Sequence, residues 1–305
     1  MVLKLSDLAS LHYESERELS HPVDPFRIGS LEVDTDYEPV IMGVVNLSRE
    51  STYRESVAPS HRDAIRKARI LFEQGAQLID LGAESSRADA PKVQSARQIE
   101  TLIPLIRELA EAGVPTSIES YAPEVIHACL EQGAAVINLT GTKNEDQIYE
   151  LVASYDRSLI MCFTPGENVR DNIPVKIHED PIPALVEHFG PRLERARALG
   201  VRNISIDPGL GFHYGIDVDP IMKAQHQAQV LLHSGRLRVL GAPVCQIMPH
   251  AFDLFQEEFR IAEAIYTVLA HIGAVGILRV HEVARVAAAL RMLAAVSVRP
   301  TFPNI

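Results

Sequence analysis

No stretch of this 305-residue chain stays apolar for the roughly 20 residues that a membrane-spanning helix requires. The expectation is a protein without a bilayer span. Cysteine is scarce: Cys129, Cys162 and Cys245 are odd in number, far apart and in no C-x-x-C arrangement. That pattern excludes a disulfide framework and a cysteine zinc site, and it points to reduced, buried thiols. Cations are also short, 29 Lys and Arg against 40 Asp and Glu, for a formal net charge of −11. A general nucleic-acid surface is excluded on that balance, although a local cationic pocket is not. There is no low-complexity tract and no long linker. The opening residues, MVLKLSDLASLHYESERELS, carry too many charges for a signal peptide, so the expected home is the cytoplasm.

What the chain does have is alternation. Short β-rich runs occupy 39–46, 78–82, 115–120, 136–141, 159–163, 204–209, 237–244 and 274–280. Most are apolar without strict period two, as parallel strands covered on both faces should be. Helical patterns follow each of them. In HRDAIRKARILFEQGA, Ala64, Ala68, Leu71 and Phe72 share one face and Gly75 ends the helix. SARQIETLIPLIRELAEAG and PEVIHACLEQG repeat the device, stopping at Gly113 and Gly133. Further helices are expected over 145–153, 181–199, 219–232, 255–272 and 281–295. Eight strand–helix units predict an α/β fold, a single (β/α)8 TIM barrel over 39–295. Residues 1–38 are expected to form an irregular, partly strand-forming extension or cap, and 296–305 a C-terminal tail. A doubly wound sheet is the alternative, but no G-x-G-x-x-G follows the first strand.

In a barrel, functional groups sit where strands end. Those positions carry Asn46, Glu84-Ser85-Ser86-Arg87, Glu119, Asn138, Asp207, and Arg279 with His281. The seventh strand runs out in Cys245-Gln246, with no charge. Each residue also has a bland reading. Asp207 before Pro-Gly caps a turn, the two asparagines satisfy loop backbone, Glu119 forms a structural ion pair, and Arg87 is a solvated loop charge. The functional reading rests on their number at one rim. Glu119, Asn138 and Asp207 suit a flat heterocycle with adjacent N–H donors, because a carboxylate accepts two parallel charge-assisted bonds. Asn46, Arg87, Arg279 and His281 suit a phosphate or pyrophosphate.

With these residues in place, the sequence resembles the dihydropteroate synthase family. IMGVVNLSRES resembles its first-strand motif IMGxxNxTPDSF, and GAQLIDLGAESSR is similar to GAxxIDxGGESTR. VPTSIES, GAAVINLTG, ISIDPGLGF and LRVHEV are similar to its third, fourth, sixth and eighth strand motifs. The resemblance covers about 39–295. It implies condensation of a dihydropterin-methyl pyrophosphate with p-aminobenzoate. It also implies that Glu119, Asn138 and Asp207 hold the pterin, and that Asn46 helps bind Mg²⁺ and the leaving group. Ser86, Arg87, Arg279 and His281 would then line the pyrophosphate and aminobenzoate sites, and a homodimer through late helices is expected.

Four departures stand against a simple transfer of activity. The family's Ser-Arg-Lys at the end of strand 7 is replaced within GAPVCQIMPHAF, with no Lys or Arg from 242 to 258. Gln246 and His250 are the nearest substitutes, and a lost charge-assisted hydrogen bond costs about 1.5–3 kcal/mol. The family's strand-3 Asp is Glu119. The first loop reads SRESTYRES, with Arg54 where the family has an acidic residue. The second loop reads SSRADA, with Ala88 in place of Pro. Three functions stay open on these residues. One is the synthase. Another is a pterin- or folate-binding homologue without catalysis. The third is a pterin-dependent transferase with another acceptor, for which the chain has no D-x-H-x-x-G corrinoid motif.

Overall fold

The computed structural model describes residues 3–51, 53–171, 173, 180–210 and 218–296. Residues 211–217 and the expected tail beyond Val296 lie outside the described residues. The first 38 residues are more regular than their sequence suggests. Helix α1 (Leu5–Leu19) leads into a short antiparallel hairpin, β1 (Phe26–Ile28) with β2 (Leu31–Val33). Phe26 and Ile28 are buried. They pack with Val40, Met42, Leu78, Val136, Ile160 and Ile277. These partners come from several different strands, so the hairpin plugs the floor of the barrel that those strands build.

Eight units of strand and helix then succeed one another. They are β3 (Val40–Asn46) and α2 (His61–Glu73), β4 (Leu78–Gly82) and α3 (Ser95–Glu111), and β5 (Thr116–Ser120) and α4 (Pro123–Glu131). Next come β6 (Val136–Leu139) and α5 (Glu145–Ser154), β7 (Ser158–Cys162) and α6 (Ile182–Ala198), and β8 (Asn203–Asp207) and α7 (Pro220–His233). The last are β9 (Cys245–Ile247) with α8 (Phe252–Phe255) and α9 (Ala262–Ile272), and β10 (Ile277–Val280) with α10 (Val283–Ala295). The strand order is β8-β7-β6-β5-β4-β3-β10-β9, parallel at each hydrogen-bonded pairing. A single parallel bridge, Ile206 to Val244, brings β8 to β9, where the Ile206 amide donates to the Pro243 carbonyl at 3.0 Å. The eight strands thus form a nearly closed barrel surrounded by helices.

Period two sorts each strand into two faces. Ile41, Val45, Ile79, Leu81, Ile118, Ile137, Leu159, Met161, Ile204 and Ile206 meet the helices in one large apolar layer. The alternate positions face the barrel interior. They run from apolar at the floor to polar at the rim: Met42 to Asn46, Leu78 to Asp80, Val136 to Asn138, and Ile277 to Arg279. The helices match their patterns. Ser60 caps α2 by accepting from the Asp63 amide at 3.2 Å, and Ala64, Ala68 and Leu71 are buried.

The seventh strand differs from expectation. LRVLGAPV, read as a strand over 237–244, is mostly a 3-10 helix (Ser234–Leu240) that prolongs α7. Gly241 stops it at φ +68°, and the strand begins only at Cys245. Pro243 has no N–H to give a ladder, which disfavours a central strand running through it.

Candidate functional site

Inside the rim, four side chains from four strands lie around one guanidinium. Arg279 on β10 donates from Nε to Asp80 Oδ2 on β4 at 2.7 Å, and from a terminal nitrogen to Glu119 Oε2 on β5 at 2.5 Å. Asn138 on β6 donates to the same Asp80 oxygen at 3.3 Å. Asp207, at the end of β8, is 5% exposed. Its Oδ1 accepts the Gly209 amide at 2.8 Å. That turn needs glycine: Gly209 has φ +75°, and a Cβ there would stand 2.9 Å from the Phe163 carbonyl oxygen. The Asp-Pro-Gly segment thus fixes one oxygen of a carboxylate at the rim.

Three carboxylates share one arginine, so the cluster is short of positive charge. Burial pushes the Glu119 carboxyl up to about 7, with Arg279 opposing and Asp80 and Asp207 adding to the rise. Burial likewise raises Asp207 to about 6, against the Gly209 hydrogen bond. Burial alone would lower Arg279. Asp80 and Glu119 overcome it and hold the guanidinium charged well above its ordinary value.

Above this cluster opens a cavity of about 260 Å³. Its walls include Asn46, Ser85, Ser86, Glu119, Arg279 and His281, and it also meets Tyr53, Lys223, Ile247 and His250. Asn138 and Asp207 are buried within the barrel and are not among the residues lining it. A cavity of about 650 Å³ lies elsewhere, between α1 and α7 and lined by Glu14, Glu18, His226 and His233. It meets none of the strand-end groups, so size does not decide which opening is the site.

The structure gathers most of the expected residues and separates two. Arg87 is exposed and paired with Asp89 at 2.9 and 2.5 Å, so it does not line the cavity. Arg170 shapes that loop instead, donating to the carbonyls of Ser85 and Ala90 at 2.5 Å each. Gln246 is the second. Alternation on β9 turns Cys245 and Ile247 inward and Gln246 outward, where it donates to Ser234 Oγ at 3.2 Å. Ile247, opposite Arg279 in the ladder, is the β9 residue that faces the cavity. The cation on that side is Lys223 of α7, whose ammonium burial pulls below its ordinary value.

Sequence reasoning missed Asp80, Lys223 and Glu263. Asp80 carried a signal: an acid in the middle of the apolar strand LIDLG is a buried charge and demands a partner. Lys223 gave none, since a lysine near a helix start is ordinary. Glu263, 1% exposed, accepts the backbone amides of His281 and Glu282. It sits in an amphipathic helix whose pattern does not single it out. His281 lies against it at 2.9 Å, and burial draws the imidazole well below its usual range, so it stays neutral.

Comparison with known proteins gives the same direction. The family profile described as pterin binding enzyme matches residues 42–281. The chain is 26% identical over 264 residues to Bacillus subtilis dihydropteroate synthase, covering 83% of this chain and 87% of that one. It is 27% identical over 259 residues to a probable bifunctional folylpolyglutamate synthase/dihydropteroate synthase of Halobacterium salinarum. There the match spans 83% of this chain but 31% of the relative's length. A solved structure of Burkholderia cenocepacia dihydropteroate synthase complexed with 7,8-dihydropteroate superposes with a TM-score of 0.73 at 26% identity, covering 90% of this chain and 96% of that one. With strand-end groups converging on one cavity and a profile spanning most of the chain, this protein belongs to the pterin binding enzyme family.

Proposed function

We propose that this protein is a dihydropteroate synthase-like transferase of folate synthesis that joins a dihydropterin-methyl pyrophosphate to p-aminobenzoate or a related amine. The observation that carries the reading is the convergence of Glu119, Asn138, Asp207 and Arg279 at the rim, directly beneath a cavity that reaches Asn46, Lys223 and His281. With its pyrimidine edge pushed past the Glu119 wall of the cavity into the barrel mouth, the pterin would present its adjacent 2-amino-4-oxo N–H donors to Glu119 and to Asp207 beneath it. Asn138 completes the polar contacts. Lys223 and His281 face the pyrophosphate, and Ser85 and Ser86 line the amine side.

Mg²⁺ fits the residues present. Asn46 Nδ2 donates to Ser51 Oγ at 2.8 Å and to Ser56 Oγ at 2.5 Å, which leaves its carbonyl oxygen as the donor for a hard cation. When bound there, Mg²⁺ neutralises charge that develops on the leaving pyrophosphate. The chain's own part is positioning. The carboxylates orient the pterin, the buried rim excludes water, and Lys223 with the neutral His281 imidazole stabilises the departing anion. The electron-rich pterin supports a carbocation-like methylene, which the weakly basic arylamine attacks, losing its proton as pyrophosphate departs.

Ile247 supports a second reading, in which the pterin binds but the acceptor is not p-aminobenzoate. Pyrophosphate release from the dihydropterin pyrophosphate with Mg²⁺, measured with and without p-aminobenzoate, separates the two. Amine-dependent release supports the synthase, release without the amine supports another acceptor, and absence of release defeats transfer. We also infer a cytoplasmic homodimer without nucleic acid as a partner. The net charge supports the last point. No described helix is long and apolar enough to cross a membrane. Ile261, Ile265, Ile272 and Met292, on and beside α9 and α10, expose 38–52% of their surface and supply the dimer face.

A further inference from the structure

At the edge of the cavity, the loop after β9, helix α9 and the turn after β10 bring three donors together. Nitrogen atoms of His250 and His281 and a carboxylate oxygen of Glu263 all lie within 4.8 Å of one another. Glu263 Oε2 is pinned by the amides of His281 and Glu282 at 2.9 and 2.8 Å. Its Oε1 stands 2.9 Å from His281 Nδ1 and 3.4 Å from His250 Nδ1. Tyr53 covers both imidazoles, with ring centroids 4.5 Å from each. Its hydroxyl donates to Glu282 at 2.5 Å, which fixes the ring over the group.

A structural role accounts for part of this. Glu263 stitches the turn after β10, and His281 Nδ1–H donates to it. That account leaves His250 unexplained, because its Nδ1 is buried without a hydrogen bond while facing a carboxylate. A buried polar atom left unpaired costs about 1–3 kcal/mol, so its retention asks for a ligand.

We propose that His250, Glu263 and His281 form a binding site for a divalent transition-metal ion of the zinc class. Two imidazoles and one carboxylate are the donor set of three-ligand zinc sites with a fourth position open. Tetrahedral bonds of about 2.0–2.1 Å place donors about 3.3 Å apart, near the 2.9 and 3.4 Å found here. Nitrogen donors favour zinc, cobalt or nickel over magnesium, so this site is chemically distinct from the oxygen of Asn46. Both histidines line the cavity, so the open position faces it and takes an oxygen anion, phosphate or carboxylate. The backbone bonds to Oε2 orient the carboxylate in advance.

The test uses the full chain, stripped with EDTA, dialysed, and titrated with ZnCl2 by calorimetry and with CoCl2 by visible absorption. No pterin is present, so the result does not depend on the pterin-binding reading. One equivalent of Zn²⁺ and ligand-field bands of a low-coordinate Co²⁺ site are expected. His250→Ala, at a partly exposed position, and Glu263→Gln each weaken Zn²⁺ by more than the roughly 10- to 100-fold that loss of an outer-shell partner costs. Circular dichroism checks the fold, and His250→Ala carries the test if Glu263→Gln does not fold. Absence of a stoichiometric site in the folded wild type, or unchanged affinity in folded His250→Ala, overturns the proposal.

Discussion

Arg279 is the residue on which the others depend. It is buried between Asp80 and Glu119, so removing it leaves two carboxylates facing a low-dielectric interior. Breaking such a pair by deleting one partner costs about 3–5 kcal/mol. Arg279→Met should therefore lower the unfolding free energy by about that amount in chemical denaturation, a much larger loss than a surface arginine such as Arg87 would give. The raised carboxyls set a pH dependence. Asp207 titrates near 6 and Glu119 near 7 in the folded protein, against about 4 when unfolded. Between those values the folded state binds more protons, so these groups favour folding at low pH and the benefit fades as pH rises through 6–7. Ligand binding has the opposite sign, because only the ionised carboxylate accepts two N–H donors. Dihydropterin affinity should rise by up to about a hundredfold per pH unit below 6, by about tenfold between 6 and 7, and level off above 7 in calorimetric titrations.

Among elements, strand phase decides what a sequence motif means. Cys245-Gln246 stands where the related motif carries cations, and sequence alone leaves the register of this strand unset. The 3-10 helix over Ser234–Leu240 delays the strand, and the pleat then turns Gln246 toward Ser234 and Ile247 toward the cavity. The cation comes from another element, α7. Lys223→Ala should weaken binding of the dihydropterin pyrophosphate by about 10- to 150-fold, the equivalent of one charge-assisted hydrogen bond of about 1.5–3 kcal/mol. Gln246→Ala should leave that affinity within a factor of two or so, as isothermal titration of both variants will show. Other elements were legible because local signals agreed with the fold. Gly75 comes just after the end of α2, and Ser60 caps its start. Helix α1 was missed because its sequence is highly charged and buries little, with Ser15 its one buried residue, and it is held by packing on the Ser234–Leu240 segment, with Leu19 against Gly235.

For the molecule as a whole, the barrel was readable because eight apolar runs alternate with eight helical patterns, and the doubly wound sheet that shares this order lacks its glycine fingerprint after the first strand. The rim was readable because polar residues sit where apolar runs stop. The interior charge network was not. Asp80 meets Arg279 across 199 positions of sequence, and only closure brings them together. The exposed apolar face of α9 and α10 predicts a dimer in analytical ultracentrifugation, which Ile265→Asp should return to monomer. The central claim is that the carboxylates at this rim hold a pterin ring. Isothermal titration of a dihydropterin into the wild type and into Asp207→Asn at pH 7.5 tests it most directly. The account predicts saturable one-site binding by the wild type, weakened about 10- to 150-fold in the variant. Absence of heat with the wild type, or equal affinity in a folded variant, would contradict it.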